Sequence, residues 1–384
     1  MIKVTHIITG LAADGAERAL YNLVCRMNRE KFENEVVSLT NAAELGNELE
    51  SSGVRVQALN MRKSIRGVFS PVRLAHWLRA SNPDVVQTWM YHSDMIGGLA
   101  AQAIRRTPVI WGIHHADISR KMNKFTTVAV ARACASLSRL IPHSIVCCSE
   151  ASRRTHEAFG YCGEKLQVIA NGFDTDRFRP VVAARAAFRS ELRLAPGTFL
   201  IGMAARFHAH KDHRNFIRAA CLFHDKHPEA HFALCGAGVA GSNEVLSDML
   251  RGAAVEKQVH LLGPRRDMQA FFSAMDLVTS SSRTEAFPLA IGEAMACGTP
   301  CVVTDVGDSG ALVSDTGRVV PPQDAAALAS AWGKFFESGR DYRDQCGRAA
   351  RSRIQQLFSL KRTVERYERL YMQAVAGTRA AIPA

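Results

Sequence analysis

The chain has 384 residues, 47% of them hydrophobic and 22% charged, with 27 Gly and 13 Pro. That balance excludes a disordered or fibrous polypeptide, and the length exceeds what one core usually holds, so two domains are expected. The formal charge of +12 is unevenly placed: residues 61–140 hold twelve Lys and Arg against three Asp and Glu, a net of +9. A solvated face, an anionic membrane, an anionic acceptor or a nucleic acid would each explain such a segment.

Residues 1–10 contain one early cation and a short apolar run that gives way to polar side chains, so they lack the core of a secretory signal and are expected to form a first strand. Even the most apolar stretch, residues 126–148, is interrupted by Arg132, Arg139 and His143, short of the roughly 18 apolar residues that a spanning helix needs. No membrane crossing is expected. The ten cysteines are scattered with no C-x-x-C pair, which fits reduced thiols in a cytoplasmic protein better than a zinc ribbon or a disulfide framework.

Strand-length apolar runs alternate with helix-length amphipathic segments from the start: residues 3–9, a helix over 15–27, then a strand over 34–40. Further strands are expected at 54–59, 85–88, 109–113, 144–148 and 166–169. Continuous apolar runs of this kind indicate parallel strands covered on both faces. After Asn171-Gly172-Phe173-Asp174 the alternation lapses through a charged stretch with Pro180 and Pro196. It restarts at 198–203 and continues at 230–235, 258–262, 277–280, 300–304 and 318–320, before a charged helix over 361–375 and a frayed tail. The fold class is therefore α/β. The expected domains are 1–178 and 179–360, each Rossmann-like, with the C-terminal helix and tail, 361–384, packing back on the first.

In open α/β sheets, ligands sit outside the carboxyl ends of the strands, where loops feed helix N-termini whose free amides favour anions. The first such loop, Thr9-Gly10-Leu-Ala-Ala-Asp14-Gly15-Ala16-Glu17, is neither a Walker loop nor a strict G-x-G-x-x-G fingerprint. The strongest signal is Ser281-Ser-Arg-Thr-Glu285-Ala286-Phe287-Pro288-Leu289-Ala-Ile-Gly292-Glu293. Pro288 suits a first helical turn, which puts Glu285 in the loop beside the exposed amides and Glu293 one to two turns inside. Either carboxylate alone could be a helix-dipole partner or a surface residue. Together, flanking an amide cluster, they suit the hydroxyls of two sugars in one ligand.

Glu285 and Glu293 match the E-x7-E signature of the retaining glycosyltransferases of the GT-B fold, family 4, and the resemblance runs from Thr9 to about Pro321. Arg206-Phe-His-Ala-His-Lys211-Asp212 resembles that family's R-x4-K element, whose two cations hold the donor diphosphate. Two fixed cations there do the work of Mg²⁺ as the sugar–phosphate bond breaks. Segments 87–98 and 109–116 resemble acceptor-domain segments, in which His115 fits the active-site histidine and His114 stands where Arg is frequent. Residues 169–178 resemble the N-G-x-D-x-x-x-F turn that closes the first domain, which displaces a metal-binding reading of Asp174-Thr-Asp176. His208-x-His210-x-x-His213 has metal-site residue types but lies inside the cation loop. In the glycine loop, Asp14-Gly15 replaces the family's Gly-Gly.

The resemblance implies two Rossmann-like domains facing across a cleft and a metal-independent hexosyltransferase without cofactor. A UDP- or GDP-sugar would donate a hexose-type sugar to a glycan or polyprenyl-linked acceptor, in bacterial surface polysaccharide synthesis at the inner face of the cytoplasmic membrane. His115, Glu285, Arg206 and Lys211 would be catalytic. Gly15, Ala16, Arg206, Lys211, Glu285, Ala286, Phe287, Pro288, Leu289 and Glu293 would bind the donor. Among alternatives, a sugar-nucleotide 2-epimerase shares the fold, but E-x7-E argues for transfer. A glycosidase needs two carboxylates but no diphosphate cations. A nucleic-acid-binding protein would explain the charge, yet the chain has only 7% aromatics and no zinc-finger or RNP-like pattern.

Overall fold

Runs of buried residues form two parallel sheets in the computed structural model, which describes residues 1–12, 15–61, 70–103, 107–120 and 122–380. The first sheet comprises β1 Ile2–Ile8, β2 Phe32–Ser38, β3 Arg55–Ala58, β4 Val85–Trp89, β5 Val109–Ile113, β6 Ser144–Cys147 and β7 Leu166–Val168, in the order β3-β2-β1-β4-β5-β6-β7. The second comprises β8 Leu200–Ala204, β9 His231–Cys235, β10 Val259–Leu261, β11 Leu277–Ser280, β12 Cys301–Thr304 and β13 Arg318–Val320, in the order β10-β9-β8-β11-β12-β13. Each expected strand is present, with ends displaced by at most two residues, an offset usual for strand boundaries.

Every residue of β4, β5, β6, β11 and β12 is buried, as a parallel sheet sandwiched between helices requires. Within β1, Ile7 packs on one face with Val37, Val86 and Trp111, while Val4 and Ile8 pack on the other with Val36 and Trp89. Both sheets reverse strand order once, between β1 and β4 and between β8 and β11. Loops leaving the carboxyl ends at such a reversal diverge and leave room for a ligand.

The chain divides into two compact units, Met1–Gly172 with Leu360–Ala384, and Phe173–Ser359. The C-terminal helix Leu360–Ala380 belongs to the first unit, where Val364, Tyr367, Tyr371 and Ala374 share a core with Val4, Ile8 and Trp89. Tyr371 Oη donates to Gln87 Oε1 at 3.3 Å, and Thr363 Oγ1 to the Ala170 carbonyl at 3.0 Å. The helix continues to Ala380, five residues beyond the expected 375. Among the described residues no helix is long and apolar enough to cross a membrane.

Candidate active site

In the second unit, β8 and β11 lie side by side at the reversal, with Ile201 opposite Leu277 and Gly202 opposite Val278. The loop after β8 carries Arg206, exposed two residues past the strand, and then a single 3-10 turn, Ala209–Lys211. The loop after β11 carries Ser281 to Pro288. Lys211 Nζ donates to Glu285 Oε1, and Ser282 Oγ donates to the same oxygen at 2.7 Å. The two loops thus meet through their charged side chains. Gly307 supports them from the loop after β12: at φ +57 it lies where a Cβ would come within 1.9 Å of the Glu285 carbonyl oxygen. The adjacent Asp308 amide donates to the Ala286 carbonyl at 3.2 Å.

Helix Leu289–Ala296 starts immediately after, with Pro288 as its N-cap residue and no capping side chain. Pro288 stands one position earlier than the first turn, and the uncapped amides of that turn carry the partial positive charge of the helix end. A small pocket is formed here by the ends of β8 and β11, Lys211, Ser282, Glu285 and Pro288 to Ile291. Lys211, Glu285, Pro288 and Leu289 therefore converge. Arg206, Ala286, Phe287 and Glu293 do not line that pocket. The Phe287 ring is buried, stacked on Phe173 at 6.0 Å and tilted against Phe358 at 5.7 Å, so only its backbone is available to a ligand.

Phe173 also seats on Gly292, where a Cβ would meet its ring at 1.9 Å. Phe173 thus helps orient the helix that bears Glu293. Glu293 is half-buried, one turn inside the helix. Burial pushes the Cys235 and Cys297 thiols up to about 12, and the Glu293 charge adds to both shifts. Both thiols are therefore protonated and unreactive at neutral pH.

The Asp174 carboxylate accepts from the amides of Asp176 and Arg177 at 3.1 and 3.0 Å, an Asx turn. His208 and His210 stack edge to face at 4.5 Å, whereas His213 is buried against Phe207 with its pKa lowered by burial to about 4. Among the described residues no three His, Cys, Asp or Glu side chains converge as metal ligands.

In the first unit, Gly15 and Ala16 open helix Gly15–Arg26 after β1; Asp14 lies outside the described residues. His115 follows β5 by two residues. Its ring stacks on Tyr91 at 5.8 Å, and its carbonyl accepts from Ser152 Oγ at 2.6 Å. Tyr91 Oη is itself hydrogen-bonded to His156 Nε2 at 2.7 Å. His114 turns the other way and stacks on Trp89 at 5.1 Å, with Nε2 buried and without a hydrogen-bond partner. Burial first, and the neighbouring His115 second, lower its pKa to about 3. His114 is thus neutral and supplies none of the charge that an Arg would.

Residues 198–338 match the family model described as glycosyl transferases group 1, and residues 13–177 match that of glycosyltransferase family 4. The chain belongs to the family 4 glycosyltransferases. The chain is 31% identical over 197 residues to the D-inositol 3-phosphate glycosyltransferase of Nocardia farcinica, covering 49% of this chain and 43% of that one. It is 32% identical over 217 residues to the same-named protein of Corynebacterium jeikeium, covering 54% and 51%. The match therefore spans about half the length of these relatives. HepE of Anabaena in complex with UDP superposes with a TM-score of 0.85 at 22% identity, over 97% of this chain and 100% of that chain. That likeness establishes the GT-B fold.

Three residues that tie the candidate site together, Ser282, Asp212 and Arg283, have no assigned role in the sequence motifs. Ser282 and Arg283 lie in a polar run, Ser280 to Thr284, at a strand end, and Asp212 directly follows Lys211.

Proposed function

We propose that this chain transfers a hexose-type sugar from a UDP- or GDP-sugar to a glycan or polyprenyl-linked acceptor, with retention of anomeric configuration and without a metal. The observation that carries the reading is the convergence of Lys211 and Glu285 at the uncapped start of helix Leu289–Ala296. A cation and a row of helix amides suit a diphosphate, and a carboxylate beside them suits sugar hydroxyls.

As the sugar–phosphate bond breaks, negative charge grows on the leaving diphosphate. Lys211, Arg206 and the amides of Leu289 and Ala290 offset it from positions held before the reaction begins, which is where electrostatic catalysis gains most. Glu285 accepts hydroxyls of the transferred sugar, and Glu293, deeper on the helix, accepts the nucleotide ribose. Gly15, Ala16 and His115 act from the first unit, which binds the acceptor; Tyr91 and Ser152 orient His115. The role in surface polysaccharide synthesis, and attachment to the cytoplasmic membrane through the basic segment 61–140, extend the same reading.

A thermal-shift panel of UDP-, GDP- and ADP-sugars tests the donor class, since a ligand that binds only the folded state raises the melting temperature. Product NMR with the stabilising donor then reads the anomeric configuration. Failure of every nucleotide sugar to stabilise the protein, or an inverted product, would overturn the reading.

A further inference from the structure

The segment between Lys211 and helix His213–His224 is built around one residue in an unusual conformation. Asp212 adopts φ 47 and ψ 55, the left-handed region that glycine enters most easily and that Asp enters only when its side chain has local work. Its carboxylate accepts from the Asn215 amide at 3.3 Å, capping the helix. It also accepts from Arg283 on the opposite loop, Nε to Oδ2 at 2.7 Å and Nη2 to Oδ1 at 3.3 Å. The carboxylate is 4% exposed and the guanidinium 43%, so the shielded oxygens face a planar donor pair.

Further bonds from Arg283 and Ser281 tie the same loops together. The Arg283 amide donates to the His210 carbonyl at 2.7 Å. Ser281 Oγ lies 2.9 Å from the Lys211 carbonyl and 3.1 Å from that of Asp212. Lys211 immediately precedes Asp212, and Glu285 follows Arg283 by two residues. Apart from the Asn215 cap, every bond in the set therefore spans the two loops whose tips carry the charged pair. A glycine at 212 would hold the left-handed turn without strain, but only a carboxylate there reaches both the helix amide and Arg283.

We infer that Asp212 and Arg283 are positioning residues, a clamp that fixes the Lys211 loop against the Glu285 loop so that cation and carboxylate present one geometry to the donor diphosphate and sugar. The inference rests on the donor-site reading above. Neither residue needs to touch the donor. The clamp acts by removing loop freedom that Lys211 would otherwise lose on binding, and displacements of about 1 Å at a reacting centre cost on the order of a hundredfold in rate.

A double-mutant cycle tests it, with UDP as the titrant in calorimetry and Arg283→Ala, Arg283→Lys, Lys211→Ala and the Arg283→Ala/Lys211→Ala pair as variants. Arg283 is partly exposed, so these proteins are expected to fold, and melting temperatures confirm it. The clamp predicts that Arg283→Ala weakens UDP by about tenfold when Lys211 is present and by less than about twofold when Lys211 is absent, with partial recovery in Arg283→Lys. A residue that only stabilises the unit would lower the melting temperature and change affinity equally in both backgrounds, and that result overturns the inference. Asp212→Gly, which keeps the left-handed turn, should reproduce Arg283→Ala; unaltered affinity there also overturns it. If Lys211→Ala by itself leaves UDP affinity unchanged, the donor-site reading fails, and the clamp with it.

Discussion

Lys211 and Glu285 neutralise each other at the mouth of the candidate donor pocket, with Ser282 Oγ holding the shared carboxylate oxygen at 2.7 Å. On the proposed donor reading, a bound diphosphate would compete with Glu285 for Lys211, and a bound sugar would offer Glu285 hydroxyl groups in exchange. The complete donor would then replace both halves of the ion pair, whereas the nucleotide diphosphate product would replace only one. Glu285→Gln removes the competitor for Lys211. The variant should therefore bind free UDP at least as tightly as the wild type while its turnover falls by about a hundredfold, the scale for losing one preorganised group. Calorimetry and initial rates measure the two effects. A loss of UDP affinity in Glu285→Gln would show that the carboxylate binds the nucleotide directly.

Glu293 is expected to behave in the opposite way. It stands one turn inside helix Leu289–Ala296, and its assigned partner is the ribose rather than the reacting sugar. Glu293→Gln should weaken UDP by about tenfold, the cost of one charge-assisted hydrogen bond. Binding to a remote handle appears mainly in affinity unless it also positions the sugar. Equal losses of affinity in Glu285→Gln and Glu293→Gln would mean that the pair acts as a single nucleotide clamp.

Arg206 and Lys211 are assigned the charge stabilisation that a divalent ion would otherwise provide. Activity should survive saturating EDTA, and Arg206→Ala should lower turnover by about a hundredfold. Abolition by EDTA with recovery on adding Mg²⁺ or Mn²⁺ would return Asp174, Asp176 and the histidines at 208 and 210 to consideration as ligands.

The helices Ser70–Ser81, Tyr91–Ala101 and Phe125–Leu137 pack in succession. They and their flanks expose Arg73, Arg79, Lys124, Arg132 and Arg139, along with Val72, Phe125 and Leu140 at 67%, 65% and 79% exposure. Cations near an anionic bilayer contribute about 1 kcal/mol each, and exposed apolar side chains add burial in the interface. Sedimentation with phosphatidylglycerol vesicles should show binding that weakens as salt rises. No binding at low salt would leave these residues an ordinary solvated surface.

Three buried histidines, and His114 with its buried Nε2, make stability depend on pH. Burial lowers the pKa of His6, His156 and His213 to about 4 and that of His114 to about 3, against 6.5 in an exposed side chain. Below pH 6.5 the unfolded chain takes up protons at these sites that the folded chain refuses until about pH 4, so the unfolded state binds more protons throughout that window. Stability is accordingly full above pH 6.5 and is lost as pH falls towards 4. Melting temperatures recorded across the window should drop, and His114→Phe, which keeps a ring against Trp89, should flatten the slope. A constant melting temperature would contradict neutral burial of these rings.

Much of the architecture was legible in order along the chain. Continuous apolar runs such as Val109 to Ile113 and Leu277 to Ser280 mark buried parallel strands because period and burial are local properties, and Glu285 and Glu293 stand eight apart in plain view. Only the tertiary structure brought Lys211 to Glu285 and Arg283 to Asp212, pairs separated by 74 and 71 residues. No periodic pattern encodes which loops meet at a reversal of strand order. The fate of the Phe287 ring, buried between Phe173 and Phe358, was likewise invisible, since a phenylalanine in a motif carries the same letter whether it faces a ligand or the core. The C-terminal helix was recognisable as a charged helix over 361–375. Its place in the core beside Val4 and Trp89 was decided by shape, because burying Tyr367 and Tyr371 requires a partner surface assembled from strands more than 270 residues earlier in the chain.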